Sequence, residues 1–462
     1  MRIGHRSWRP LAVIPMLLLA LGLSACNVSL SVGTPTGTAS SDRAPTTAAG
    51  TATTGGRGSC EPQTKHDNGP GDGFNTYLSP KQLWTLYGIG PLLKQCYTGK
   101  GQTVVVIDSF GSPTLQEDID NFSDYYGLPR VKLQIMSPLG TKAFDPSDQQ
   151  MIGWAIETTE DVQIIHAIAP DANIVVLTSP VDETEGVAGL PEFLQLEQYA
   201  VQHNLGSVVS QSWAASEVSL ANSAGQAQIA KFDAFYHTAT TTQGMTFFAS
   251  SGDNGATDYI DTSITQLSAT PTTSFPTGDP WVTSVGGTTI QQNAGQLSEI
   301  AWNGSGGGFS RFYPEPTFQQ GLPTDNQALL SHRRGVPDVS SSADPNIGLG
   351  CFFGGLLKEE FVGNGTSAGS PLWAGLTAIA NQMAGHSLGY LNPALYKVAS
   401  GDNYARDFHD ITVGNNSYND KGVSVTGYDA VTGWDPITGL GTPNAQFLLP
   451  DLIAAANAGG AV

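Results

Sequence analysis

A chain of 462 residues can hold one large catalytic domain or two to three small ones, and an apolar fraction of 40% supplies a sizeable core. Forty Asp and Glu against 20 Lys and Arg give a formal net charge of -20 at pH 7, a surface that repels nucleic acid rather than recruiting it. Charged residues make up 13% of the chain, about half the roughly 25% of ordinary soluble domains. Few cations means little positive self-repulsion once carboxylates protonate, which suits an acidic medium; a surface made polar by Ser, Thr and Asn is the other reading.

At the start of the chain Arg2, Arg6 and Arg9 precede an apolar run from Leu11 to Leu23, the pattern of a signal peptide over residues 1–26. Leu23-Ser24-Ala25-Cys26 resembles a bacterial lipobox, which implies lipidation of Cys26 and export to the outer face of the cell membrane; cleavage without lipidation would give a secreted chain. Residues 27–59 are Ser, Thr, Ala, Gly and Pro with hardly any large apolar side chain, too little to bury a core, and read as a flexible tether. From Cys60 onward apolar and aromatic residues occur at ordinary density with no internal repeat, so residues 60–462 read as one domain. In an exported chain the remaining Cys60, Cys96 and Cys351 are disulfide candidates. We expect Cys60 to pair with Cys96, leaving Cys351 as a small buried apolar residue.

Within the domain, Thr103 to Ile107, Asn173 to Leu177, Ser207 to Ser212 and Met245 to Ala249 are apolar runs of strand length, as expected of a parallel sheet buried on both faces. Leu190 to His203 and Ala221 to Thr238 read as helices between them, so the class is α/β, a mainly parallel sheet flanked by helices. Functional loops of such sheets gather at the carboxyl ends of the strands.

Four features carry chemistry. The strand Val104-Val105-Val106-Ile107-Asp108 looks like the aspartate segment of subtilisin-like peptidases, yet no His-Gly-Thr follows, and His166 lies in an apolar helical run. Where that segment is expected stands Glu157-Thr158-Thr159-Glu160-Asp161. Glu157 and Asp161 are four apart and share a helix face, whether as surface acidity or under the cover suggested by the apolar run after them. Ser250-Ser251-Gly252-Asp253-Asn254-Gly255 is a glycine-flanked turn able to aim one carboxyl. Gly365-Thr366-Ser367-Ala368-Gly369 puts a serine where a helix begins, either as an N-cap or as a nucleophile next to free backbone N–H groups.

Together these segments resemble the sedolisin, or serine-carboxyl peptidase, family from about Tyr77 to Asn444. The family pattern of a glutamate, three residues and an aspartate before Ala-Pro matches Glu157, Asp161 and Ala169-Pro170; Gly-Asp-x-Gly matches Gly252 to Gly255; Gly-Thr-Ser-Ala matches Gly365 to Ala368. The stretches Gly307-Gly308-Phe309-Ser310 and Val336-Pro337-Asp338-Val339 look familiar as well. The resemblance implies a subtilisin-like fold and an endopeptidase acting on proteins or peptides. In it Ser367 attacks the scissile carbonyl, Glu157 takes the proton, Asp161 orients Glu157, and Asp253 donates to the oxyanion. Asp108 would extend the hydrogen-bond chain behind Glu157, and Trp213 would do likewise near the substrate cleft. An ionised Glu157 and a protonated Asp253 together require acid, so activity is expected at roughly pH 3 to 5.

The resemblance also implies one calcium ion in the segment 408–436, held by the side chains of Asp410 and Asp435 and the backbone oxygens of Ile411, Val431 and Gly433, a hard-oxygen set. The family has glycine where Val431 stands, which a carbonyl ligand tolerates unless the backbone needs positive φ. The family's large folded pro-segment has no counterpart between Cys26 and the domain, so control without it, or by a separate chain, is expected. A monomer without nucleic-acid partners is the expected state. The rival readings are a neutral subtilisin-like peptidase and a binding module that kept the peptidase fold.

Overall fold

The computed structural model describes residues 59–67, 77–293, 296–354 and 359–459. The expected signal peptide, Cys26 and the tether up to residue 58 lie outside the described residues.

The apolar runs form the sheet strands Thr103–Ser109 (β1), Gln134–Met136 (β2), Asn173–Ser179 (β3), Val208–Gln211 (β4), Thr246–Ser250 (β5), Thr283–Asn293 (β6), Gln296–Ala301 (β7) and Val339–Ser342 (β8). Their order is β7-β6-β5-β4-β1-β3-β2, with β8 also on β6. All pairings are parallel except the β6–β7 hairpin. This is the mainly parallel α/β sheet expected from the sequence. Two of the four strands read there extend two residues further, one is shifted by one residue, and Ser207 to Ser212 is shortened by one residue at each end to Val208–Gln211, as element ends commonly vary.

Both sheet faces are covered, which is why the strands read as continuous apolar runs. Helices Gln149–Ile168 (α1) and Gly369–Ala384 (α4) cover one face; Leu190–Gln202 (α2) and Ser223–Gln243 (α3) cover the other. Side chains alternate across a strand: Val104 and Val106 pack with α1 and α4, Val105 and Ile107 with α2 and α3. Asp108 continues the even set and therefore turns toward α1. The same parity in β4 sends Gln211 to Glu197 and Tyr236 and Ser210 to Ser370 on α4.

Helix α1 starts where Asp148 accepts from the backbone N–H groups of Gln150 and Met151. From Glu157 to Ile168 every residue is buried, because this half is wedged between the sheet and α4. Gly375 of α4 allows the close crossing, since a Cβ there would stand 2.9 Å from Ile168. Cys60 and Cys96 form a disulfide with Cα atoms 4.8 Å apart, and Cys351 is a free, buried thiol.

Candidate active site

The chain builds β2 and β3 on one side of β1 and then crosses to build β4, β5 and β6 on the other, so the strand order reverses beside β1. A crevice opens at the carboxyl ends of strands at such a reversal. Asp108 is the last residue but one of β1, Ser212 and Trp213 follow β4, and Asp253 follows β5. From the covering helices, α1 brings Glu157, Glu160 and Asp161, while the segment before α4 brings Ser367.

Ser367 caps no helix. It is the middle residue of a 3-10 turn, Thr366–Ala368; Ala368 is the N-cap of α4 and makes no side-chain capping bond. The turn is suspended from its surroundings. Asp253 Oδ1 accepts from both the Thr366 N–H and the Thr366 hydroxyl, each at 2.8 Å, and the Thr366 hydroxyl accepts from Gly252 N–H at 2.9 Å. The Ser212 hydroxyl donates to Asp161 Oδ1 at 2.8 Å and lies 3.3 Å from the Ser367 carbonyl oxygen. Gly365, with φ +71°, supplies the left-handed backbone that begins the turn. Ser367, Asp253, Ser212 and Trp213 line one small pocket of about 20 Å³, room for about one water.

The carboxyls here are buried and close to one another. Burial pushes Glu157 well above the ordinary glutamate range, the charges of Asp108 and Asp253 add to the rise, and hydrogen bonding to the Ser367 and Ser212 hydroxyls opposes it. Asp161 is raised by burial, then by Asp108 and Glu157. Burial lifts Asp253 to about 7 against the two Thr366 donors; its Oδ2 has no hydrogen-bond partner among the described residues. Asp108 is lifted to about 7 by burial. No hydrogen bond joins Asp108 or the Trp213 indole to Glu157 among the described residues, so Asp108 acts on it through charge. Trp213 stacks on Phe193, centroids 4.9 Å apart, and forms a wall of the pocket.

Glu160, Thr366 and Ser212 were not singled out in the sequence. Glu160 carried a signal, since three residues after Glu157 it shares the same helix face. The other two are marked only by contacts across the fold. No histidine of the described residues lines the pocket. His166 is buried nine residues after Glu157 on α1, its Nε2 3.1 Å from the Ser123 hydroxyl, and burial pushes it down to about 4.

In the expected calcium segment, both Asp410 oxygens accept from Gly433 N–H at 3.1 Å. Asp435 accepts from the N–H groups of Val431 at 3.3 Å and of Ile437 and Thr438 at 2.9 Å. Both carboxylates act electrostatically on Tyr404, and no Lys or Arg contributes at either one. Gly433 has positive φ and Val431 does not, so valine is accommodated there. Among the described residues no three His, Cys, Asp or Glu side chains come together to hold a metal ion, so a cation here would rely on these two carboxylates and on backbone oxygens, a hard-oxygen set.

Buried acids recur elsewhere. Burial raises Glu197 to about 8, Glu217 to about 7 and Asp279 to about 7. Such groups hold protons in the folded chain that the unfolded chain, with carboxyls near ~4, has lost. Between about pH 4 and 7 the native state therefore binds more protons, and stability declines as pH rises. The midpoint of urea unfolding is expected to be lower at pH 7.5 than at pH 4, and an equal or higher midpoint at pH 7.5 would contradict the burial of neutral carboxyls.

No protein-family model matches the chain. It is 32% identical over 369 residues to kumamolisin of Bacillus sp. (strain MN-32), covering 78% of this chain and 61% of that relative. To sedolisin of Pseudomonas sp. (strain 101) it is 31% identical over 351 residues, covering 72% and 56%. To human tripeptidyl-peptidase 1 it is 30% identical over 226 residues, covering 46% and 38%. The chain thus spans less than two thirds of each of these relatives' lengths. Among solved structures it resembles Pseudomonas sedolisin complexed with two molecules of pseudo-iodotyrostatin, with a TM-score of 0.63 and 28% identity over 79% of this chain and 94% of that one. The likeness agrees with the fold class, and these matches support kinship of the described region with the sedolisin family.

Proposed function

We propose that this chain, as a relative of the sedolisins, is a serine-carboxyl endopeptidase that cleaves proteins at acidic pH. The observation that carries the reading is the surroundings of one serine: the Ser367 hydroxyl hydrogen-bonds to the buried Glu157 and lines a small pocket with Asp253, whose Oδ2 has no hydrogen-bond partner among the described residues, while no described histidine lines that pocket. Ser367 Oγ attacks the scissile carbonyl carbon while its proton passes to Glu157. Negative charge collects on the carbonyl oxygen, to which protonated Asp253 donates from Oδ2. Collapse expels the amine, which takes the proton from Glu157, and water repeats the sequence to release the acid. Asp161, held by Ser212, orients Glu157 and discourages a second charge beside it.

The test is degradation of a denatured protein at pH 4 with internal cleavage products resolved by mass. The N-terminal sequence supports export with lipid anchoring at Cys26. Among the described residues no helix is long and apolar enough to cross a membrane.

Calcium, held by Asp410, Asp435 and the backbone oxygens of Ile411, Val431 and Gly433, would pin the segment 408–436 and take no part in the reaction. A chelator is expected to lower the melting temperature and added Ca2+ to restore it. The effect corresponds to about 2.7 kcal/mol at a hundredfold excess over Kd. Asp410→Asn should remove most of this response; an unchanged melting curve in the parent chain would sink the site.

A further inference from the structure

Glu160 is buried on α1 between Glu157 and Asp161, and no step above uses it. Its Oε1 accepts from the backbone N–H of Asn364 at 2.8 Å. Asn364 lies in the segment leading into the Ser367 turn, and each N–H of that segment is held from a different place. Gly363 donates to the Leu349 carbonyl and Gly365 to that of Ala343, both at 2.7 Å. Thr366 donates to Asp253. Of these anchors, only Glu160 belongs to the helix that bears Glu157. It is thus a direct bond between the helix carrying the base and the loop carrying the nucleophile.

We infer that Glu160 is a positioning residue, which locks the nucleophile loop to α1 through Asn364 and so sets Ser367 in register with Glu157. This rests on the serine-carboxyl reading for its kinetic consequence, though not for the bond itself. An apolar side chain would take this acceptor away from the buried Asn364 N–H, at the cost of a buried hydrogen bond. The loop would then shift to find a partner, and a displacement of about 1 Å between reacting groups costs on the order of a hundredfold in rate. Glutamine would keep a carbonyl acceptor while removing the charge. The ionisable groups around Glu160 are Glu157 and Asp161 on α1, Asp253 after β5, and the Cys351 thiol on the strand Gly348–Phe353. All are acidic: Glu157 and Asp253 raise Glu160, and Glu160 in turn raises Asp161 and Cys351, while it is not among the groups that raise Glu157.

The experiment compares the full chain with Glu160→Gln, Glu160→Leu and Ser367→Ala, using kcat and KM across pH 2 to 8 and hydrogen exchange of the peptide segment 360–368. Glu160→Leu is expected to lower kcat about 10- to 100-fold with KM within about threefold, and to lose exchange protection at Asn364. Glu160→Gln, which keeps a carbonyl acceptor, should keep kcat within about threefold and keep that protection. Wild-type kcat and undiminished protection in Glu160→Leu would overturn the inference. If Glu160→Leu does not fold, the Gln variant decides: protection at Asn364 and kcat must be kept or lost together, and loss of one without the other overturns the inference. If the parent chain cleaves nothing at any pH, or Ser367→Ala cleaves as well as it does, the peptidase reading fails. Exchange alone then decides whether Glu160 holds the loop.

Discussion

Ser367→Ala is expected to reduce kcat for protein cleavage at pH 4 by about 10⁴- to 10⁶-fold, the range found when the nucleophile of a serine hydrolase is removed. The substitution deletes only the hydroxyl. The turn keeps its backbone anchors at Gly363, Asn364, Gly365 and Thr366, so stability should change by no more than about 1 kcal/mol. A melting curve near that of the parent chain, with activity gone, places the defect in chemistry.

The same measurement separates the rivals. A neutral peptidase would need a histidine at the serine, and His166 is about 13 Å further along the helix than Glu157 at 1.5 Å per residue. Its ring is packed against Ser123 and Phe122. Glu157→Gln should therefore be nearly as damaging as Ser367→Ala. The double variant should be no worse than either one, because residues that act as a unit lose their effect together. If Ser367→Ala retains full activity, the nucleophile lies elsewhere. A folded parent chain that binds unfolded protein and never cleaves it would favour the binding module.

The sheet was legible because parallel strands covered on both faces must be apolar at their centres, as in Val104 to Ile107 of β1, Ile174 to Leu177 of β3, Val208-Val209 of β4 and Phe247 to Ala249 of β5. The carboxylates of the site were legible as spacing: Glu157 and Asp161 on one helix face, Asp253 between glycines, and no His-Gly-Thr after Asp108. The local state of Ser367 was not. A glycine, a short polar residue and an apolar run look the same whether the serine caps the helix or sits one turn before it. What separates them is the bond from Thr366 to Asp253, 113 residues away. Glu160 was visible as a third acid, but its partner is a backbone N–H 204 residues distant, and main-chain donors leave no mark in residue identity. The hydrogen-bond chain expected through Asp108 is likewise replaced by a through-space effect of a buried charge, which spacing does not distinguish from a bond.

Activity is expected to be lost as pH rises through about 7, the value to which burial lifts Asp253. The sign follows from its role. A carboxyl donates a hydrogen bond only when protonated, so the alkaline limb of kcat/KM reports loss of this proton. The acid limb reports the first ionisation within the group formed by Glu157, Asp161 and Asp108, whose mutual repulsion makes that first proton the easiest to remove. The maximum therefore lies on the acid side of 7, and a maximum above pH 7 would exclude Asp253 as the donor. Asparagine at this position gives a sharper check. Both Thr366 donors point at Oδ1, so an asparagine will set its carbonyl there and turn its amide N–H toward the pocket, where Oδ2 now stands. Asp253→Asn should thus retain a donor at every pH, keeping kcat within about tenfold at the acid optimum while its alkaline limb moves above 7. Asp253→Ala removes the donor and should cost about 10²- to 10³-fold in kcat at all pH values. If the asparagine variant instead loses activity at the same pH as the parent chain, another group sets that limb, and the stabilisation of the oxyanion must come from elsewhere in the turn before α4.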